Sequence, residues 1–133
     1  MDDLHARTVF FVRDAQRSLD YYTNRLGFSL DWSHEEHGRP FVFQVGLLGF
    51  QLILNQAEPW TEDRPGHGRV FIGLEEGQLE GFRRHVEDRA IQTSSLQWGA
   101  PTVVIRDLDG NELFFWLPQR ERERLEAEAA GAD

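Results

Sequence analysis

The chain has no cysteine, which excludes disulfides and thiolate metal sites. It has no apolar run approaching the ~20 residues that span a bilayer. The first residues, MDDLHAR, lack the basic and apolar regions of a signal peptide. No serine sits in a nucleophile elbow, and there is no glycine-rich phosphate loop. Basic residues are outnumbered, 14 against 23 acidic ones. Formal net charge is −9, which argues against nucleic acid, a partner that needs a basic face. A soluble, cytoplasmic protein with neither a membrane nor a nucleic-acid partner is the expectation. The acidity suits cationic small molecules, yet it is common among soluble proteins in general.

What is present reads as a folded domain. Its 133 residues, 40% hydrophobic, suffice for one ordinary core. RTVFFV (7–12) has strand composition. Asp14 is placed to cap a helix, in which Ala15, Leu19, Tyr22 and Leu26 recur at helical spacing before Gly27 ends it. Extended pieces follow at 28–36, 40–46 and 50–55, separated by HGR and LLG turns. The polar stretch 57–67 is a linker, and then the pattern restarts. RVFIGL (69–74) is a strand, Leu79, Phe82 and Val86 mark a helix, and 91–95, 100–106 and 111–117 are strands. DLDG (107–110) is a turn. Arg7 to Arg69 spans 62 residues and Ile53 to Phe114 spans 61. The fold class is therefore α+β, with two tandem βαβββ modules (5–56 and 68–118). Residues 119–133 form a charged tail, helical or frayed, most simply a solvated surface helix.

Strand parity sorts the side chains onto two faces. One face receives Phe10, Val12, Leu52, Leu54, Val70, Ile72, Leu74, Leu113 and Phe115, and the amphipathic helices must cover it. The other receives Arg7, Val9 and Phe11; Gln51, Ile53 and Asn55; Arg69, Phe71 and Gly73; Glu112, Phe114 and Trp116. This mixture of rings, amide and charge suits a small-molecule pocket. It also suits a dimer interface.

VRDAQRSLDYYTNRLGFSL (12–30) and IRDLDGNELFFW (105–116) resemble the helix and turn signatures of the glyoxalase/bleomycin-resistance/dioxygenase (vicinal oxygen chelate) superfamily. Leu108 replaces the proline usual in the turn. QWG (97–99) is similar to the bleomycin-resistance branch. The resemblance spans residues 5–118 and implies a curved sheet around a concave pocket, helices outside, and homodimers with two sites at the interface. Its metalloenzymes hold a divalent ion with a set such as His/Gln, Glu, His, Glu. In this chain those positions fall at Arg7, Ile53, Arg69 and Phe114; arginine cannot give up its proton to ligate a metal, and Ile and Phe have no donor atom. No cofactor follows on that register. Two residues earlier at each position stand His5, Gln51, His67 and Glu112, a displaced set of metal-competent types on the same face. The cluster His34, Glu35, Glu36 and His37 reads as a solvated hairpin tip.

The resemblance thus implies a metal-independent binding protein acting by sequestration. Arg7, Phe11, Ile53, Arg69, Trp98, Glu112, Phe114 and Trp116 are the candidate ligand contacts, with Trp60 from the linker. The aromatic faces suit flat rings and cations, whereas Arg7 and Arg69 suit an anion. The alternatives are a divalent-metal lyase, isomerase or dioxygenase on the displaced set, and a partner-binding module with a filled pocket.

Overall fold

A computed structural model describes residues 4–58 and 63–131; Trp60 lies outside them. The chain divides into two compact units. The first is Met1–Gly68 with Asp107–Asn111, and the second is Arg69–Arg106 with Glu112–Asp133. Strand β1 (Thr8–Val12), helix α1 (Ala15–Asp20) and strands β2 (Ser29–Glu36), β3 (Arg39–Leu47) and β4 (Phe50–Gln56) make one βαβββ module. Strand β5 (Arg69–Gly73), helix α2 (Leu79–Asp88) and strands β6 (Ser94–Gln97), β7 (Pro101–Arg106) and β8 (Glu112–Trp116) make the other. Helix α3 (Gln119–Gly131) follows. The sheets have the same order, β1-β4-β3-β2 and β5-β8-β7-β6. Each has one parallel pair, β1 with β4 and β5 with β8.

The predicted apolar face is buried in both sheets. Phe10, Val12, Leu52, Leu54, Leu113 and Phe115 are buried, and the edge residues Val70, Ile72 and Leu74 are half-buried. Helix α1 begins where the Asp14 carboxylate accepts the Arg17 N–H and buries Ala15, Leu19, Tyr22 and Leu26. Its regular part ends earlier than the spacing predicts. Tyr21–Arg25 form a π-turn, and the Leu26 N–H reaches the Tyr21 carbonyl. Phe28 leaves the helix, its N–H bonded to the Tyr22 carbonyl, and so does not open β2. Helix α2 seats Phe82 on Phe115, ring centroids 4.5 Å apart. The long LEEGQLEGF approach is taken up by a 3₁₀ turn, Glu76–Gln78, closed by a Glu75/Gln78 capping box.

The strand expected at 91–95 is displaced to Ser94–Gln97. Ala90 takes a left-handed conformation and the Ile91 N–H returns to the Val86 carbonyl. Residues 91–93 therefore complete the helix exit, where orphan carbonyls need partners. The tail is helical but not wholly solvated. Glu121 is buried, bonded to Arg83 of α2 at 2.7 Å and to Arg124 of its own helix. These partners, Arg124 foremost, hold its carboxyl down to about 2.

The turn 107–111 carries the densest polar network. Asp107 Oδ1 accepts the N–H groups of Asp109 and Asn111. Its Oδ2 accepts the Tyr22 hydroxyl at 2.9 Å and Asn111 Nδ2 at 3.0 Å. Asn111 Nδ2 also donates to the Phe11 carbonyl, and Asn111 Oδ1 accepts the Gly68 N–H. Glycine is required at 68, because a Cβ there would lie 2.5 Å from the Phe10 ring. Gly110, at φ 99°, makes the turn that DLDG predicts. Burial raises the Asp107 carboxyl above its ordinary value, an effect its hydrogen bonds only partly offset. Burial, and then the Asp107 charge, raises the Tyr22 hydroxyl well above its own.

Replacing Asp107 with Asn would turn an amide N–H₂ toward donors that now find an oxygen. Urea unfolding should show a loss of ~2–3 kcal/mol, the cost of leaving buried donors unpaired. The pH dependences of Asp107 and Glu121 should be opposite. The raised Asp107 carboxyl favours the fold while protonated, a contribution lost as pH rises from the ordinary 3.8 through its folded value. The depressed Glu121 carboxyl contributes above the ordinary 4.5 and loses that contribution as pH falls through about 2. Urea midpoints across the acidic range should lose the first trend in Asp107→Asn and the second in Glu121→Gln.

Candidate ligand-binding face

The strand registers of the second unit align three rows on one face, since directly opposed residues share a face. Arg69, Glu112 and Arg106 form the first row. Phe71, Phe114 and Val104 form the second, and Gly73, Trp116 and Thr102 the third. In the charged row, Arg69 reaches Glu112 Oε1 through Nη2 at 2.8 Å and Nε at 3.2 Å. Arg106 Nη2 lies 3.1 Å from Glu112 Oε2, and its Nη1 donates to Ser94 Oγ. One carboxylate thus serves two guanidinium groups.

The aromatic rows pack around Trp98, carried on the short β6–β7 turn. Its ring meets Phe114 edge-on at 5.2 Å and Trp116 edge-on at 5.9 Å, and lies 5.8 Å from Phe71. Phe71 and Trp116 are 5.6 Å apart. The Arg69 guanidinium sits 4.1 Å from the Phe114 centroid, and that of Arg122, from α3, sits 5.0 Å from the Trp116 centroid. Phe114 is closed off, with 0% of its surface exposed, whereas Phe71 keeps 52% and Trp98 keeps 39%. Phe71, Trp98 and Trp116 therefore present ring surface to solvent, whereas Phe114 does not.

In the first unit the corresponding face is plainer. Val9, Ile53 and Gln44 form one row and Phe11, Asn55 and Val42 the next. Arg64 lies 5.1 Å from the Phe11 centroid. Arg7 stands exposed before β1, donating to the Ala6 carbonyl. His5 and His67 are also exposed and lie outside any strand, and Gln51 is half-buried.

The structure brings together Arg69, Glu112, Phe114, Trp98 and Trp116 of the sequence-derived set, all within one unit. Phe71, Arg106 and Arg122 complete that group. Phe71 was already legible by parity, and Arg106 faces Glu112 across the hairpin whose turn is DLDG. Arg122 had no signal, because nothing in a charged helix says which arginine lies on a ring.

At the family positions Arg69 is clamped to Glu112 and stacked on Phe114, and Ile53 has no lone pair to offer a divalent ion. Glu112, the carboxylate of the displaced set, has both oxygens engaged by arginine. Among the described residues no group of three or more His, Asp or Glu side chains is placed to hold a metal.

The family model of the Glyoxalase/Bleomycin resistance protein/Dioxygenase superfamily matches residues 5–115, and the chain belongs to that superfamily. Solved structures share the fold. A bleomycin-binding protein of Streptomyces verticillus, complexed with copper(II)-bleomycin, has 16% identity and a TM-score of 0.66 over 90% of this chain and 99% of its own. TnmS3, an antibiotic-binding protein of Streptomyces sp. CB03234, has 18% identity and a TM-score of 0.58 over 90% and 100%. A lactoylglutathione lyase of Agrobacterium tumefaciens has 15% identity and a TM-score of 0.57 over 87% and 94%. No curated protein sequence matches the chain significantly. Among the described residues no helix is long and apolar enough to cross a membrane.

The different burial of the rings predicts different costs on truncation. Phe114→Ala should destabilise by ~3–5 kcal/mol, the range for emptying a buried aromatic site. Phe71→Ala, at the half-exposed rim, should cost under about 1 kcal/mol. Urea denaturation of the two variants measures both.

Proposed function

We propose that this protein binds flat aromatic, drug-like molecules without a metal and holds them unchanged, acting by sequestration. The observation that carries this reading is the half-open ring cluster of Phe71, Trp98 and Trp116 beside the Arg69–Glu112–Arg106 row. Rings of this kind stack on planar guests, and fixed polar groups beside them give orientation. Among the described residues the carboxyls with clearly displaced protonation, Asp107 and Glu121, both lie in structural networks, which supports binding over catalysis. The antibiotic-binding descriptions of two structural neighbours favour the same reading. Arg7, Phe11 and Ile53 are proposed as candidate contacts on the face of the first unit by itself. A cytoplasmic homodimer is the working form under the same proposal.

A metal-dependent lyase, isomerase or dioxygenase is the second reading. It is favoured by the lactoylglutathione lyase among the neighbours, but the one carboxylate of its displaced donor set, Glu112, is already engaged by two arginines.

Titrating intrinsic tryptophan fluorescence with a panel of planar aromatics should give saturable quenching. Trp98→Ala should weaken the best binder about tenfold, equivalent to ~1.4 kcal/mol. Dialysis against EDTA should leave its affinity unchanged, and mass spectrometry should recover it intact. A stoichiometric divalent ion in protein purified without chelator, lost together with binding on chelation, would overturn the metal-free reading. Conversion of the bound compound would overturn sequestration.

A further inference from the structure

The aromatic rings of the site raise a question of charge, because exposed rings commonly recruit cations. Here the protein supplies the cations itself. Arg69 lies on Phe114 and Arg122 lies on Trp116. Arg64 does the same for Phe11 in the first unit. A cationic guest would have to displace a guanidinium already in place or sit beside it. The only acidic group in the row, Glu112, has both carboxylate oxygens committed, one to Arg69 and one to Arg106. Two arginines against one glutamate leave the row at +1 before Arg122 is counted.

We propose that the ligand of this site is an anionic planar aromatic, a ring system carrying a carboxylate, sulfonate or phosphate group. This rests on the binding function proposed above and adds the sign of the guest. The ring would stack on Phe71 and Trp98, while its anionic group would approach the Arg69–Arg106 row. All 14 basic residues of the chain are arginine, the side chain that pairs with planar anions in two-point geometry and stacks on rings at the same time. The net charge of −9 does not reverse this preference. Exposed charges more than ~8 Å away are largely screened at physiological salt, whereas groups in direct contact are not.

Isothermal titration calorimetry with naphthalene-2-sulfonate, 2-naphthalenemethanol and 2-naphthylmethylammonium tests the sign on one ring system. The sulfonate should bind about tenfold or more tightly than the ammonium at low salt, with the alcohol between them, and the gap should shrink as salt rises. Two neighbouring substitutions should act in opposite directions. Arg69→Gln should erase most of the sulfonate preference, and Glu112→Gln, which frees both arginines, should widen it. Loss of packing would weaken all three ligands alike, so the ratio between them separates charge from structure. If Glu112→Gln does not fold, Arg106→Gln supplies the second arm, and it should narrow the preference as Arg69→Gln does. Equal or tighter binding of the ammonium overturns this inference and leaves the binding function standing. Failure of all three naphthalenes to bind overturns both.

Discussion

The Asp107 carboxylate is the constraint on which much of this molecule depends. It is buried, yet it receives four hydrogen bonds, from Tyr22, from the Asp109 backbone, and from the backbone and side chain of Asn111. A carboxylate so placed is tolerable only while those donors hold their geometry. Tyr22 belongs to the π-turn that continues α1, and Asn111 in turn holds the Phe11 carbonyl and the Gly68 N–H. One turn therefore fixes the end of a helix, a strand and the linker. The residue after Gly68 is Arg69, and the residue after Asn111 is Glu112. In sequence, the residues joined by the 68–111 hydrogen bond each stand one step before the Arg69–Glu112 pair.

At 69 and 114, where the resemblance puts ligating side chains in the family's metalloenzymes, this chain has an arginine stacked on a phenylalanine ring. Glu112, one pleat away, pairs with Arg69 and Arg106. Function follows from the site, while the fold only positions it.

Much of the architecture was legible in the sequence because it rests on local rules. The period-2 alternation at 7–12 and 111–117, the helical spacing of Ala15, Leu19, Tyr22 and Leu26, and the restart at Arg69 all reappear in the structure. The misplaced sixth strand shows where such rules stop. IQTSS has strand composition, but the carbonyls at the end of α2 had first claim on its backbone. The site was half legible. Parity placed Arg69, Glu112, Phe114 and Trp116 on one face. It was silent on depth, so the sealed ring of Phe114 and the open ring of Phe71 looked alike. Sharing of Glu112 between Arg69 and Arg106 depends on strand pairing, and the stacking of Arg122 depends on where the tail helix docks. Neither leaves a periodic trace.

The double hold on Arg69 has a consequence for the thermodynamics of recognition. An unrestrained arginine at the mouth of a site gives up rotamer freedom when a guest arrives, at a cost of up to ~2 kcal/mol. Arg69 has given up much of that freedom on folding, with its guanidinium laid on Phe114 and two of its nitrogens bonded to Glu112. For a guest at this site, the entropy of ordering Arg69 would fall on folding instead of on binding. What a guest gains at this position is then offset less by immobilisation, which is the physical content of preorganisation.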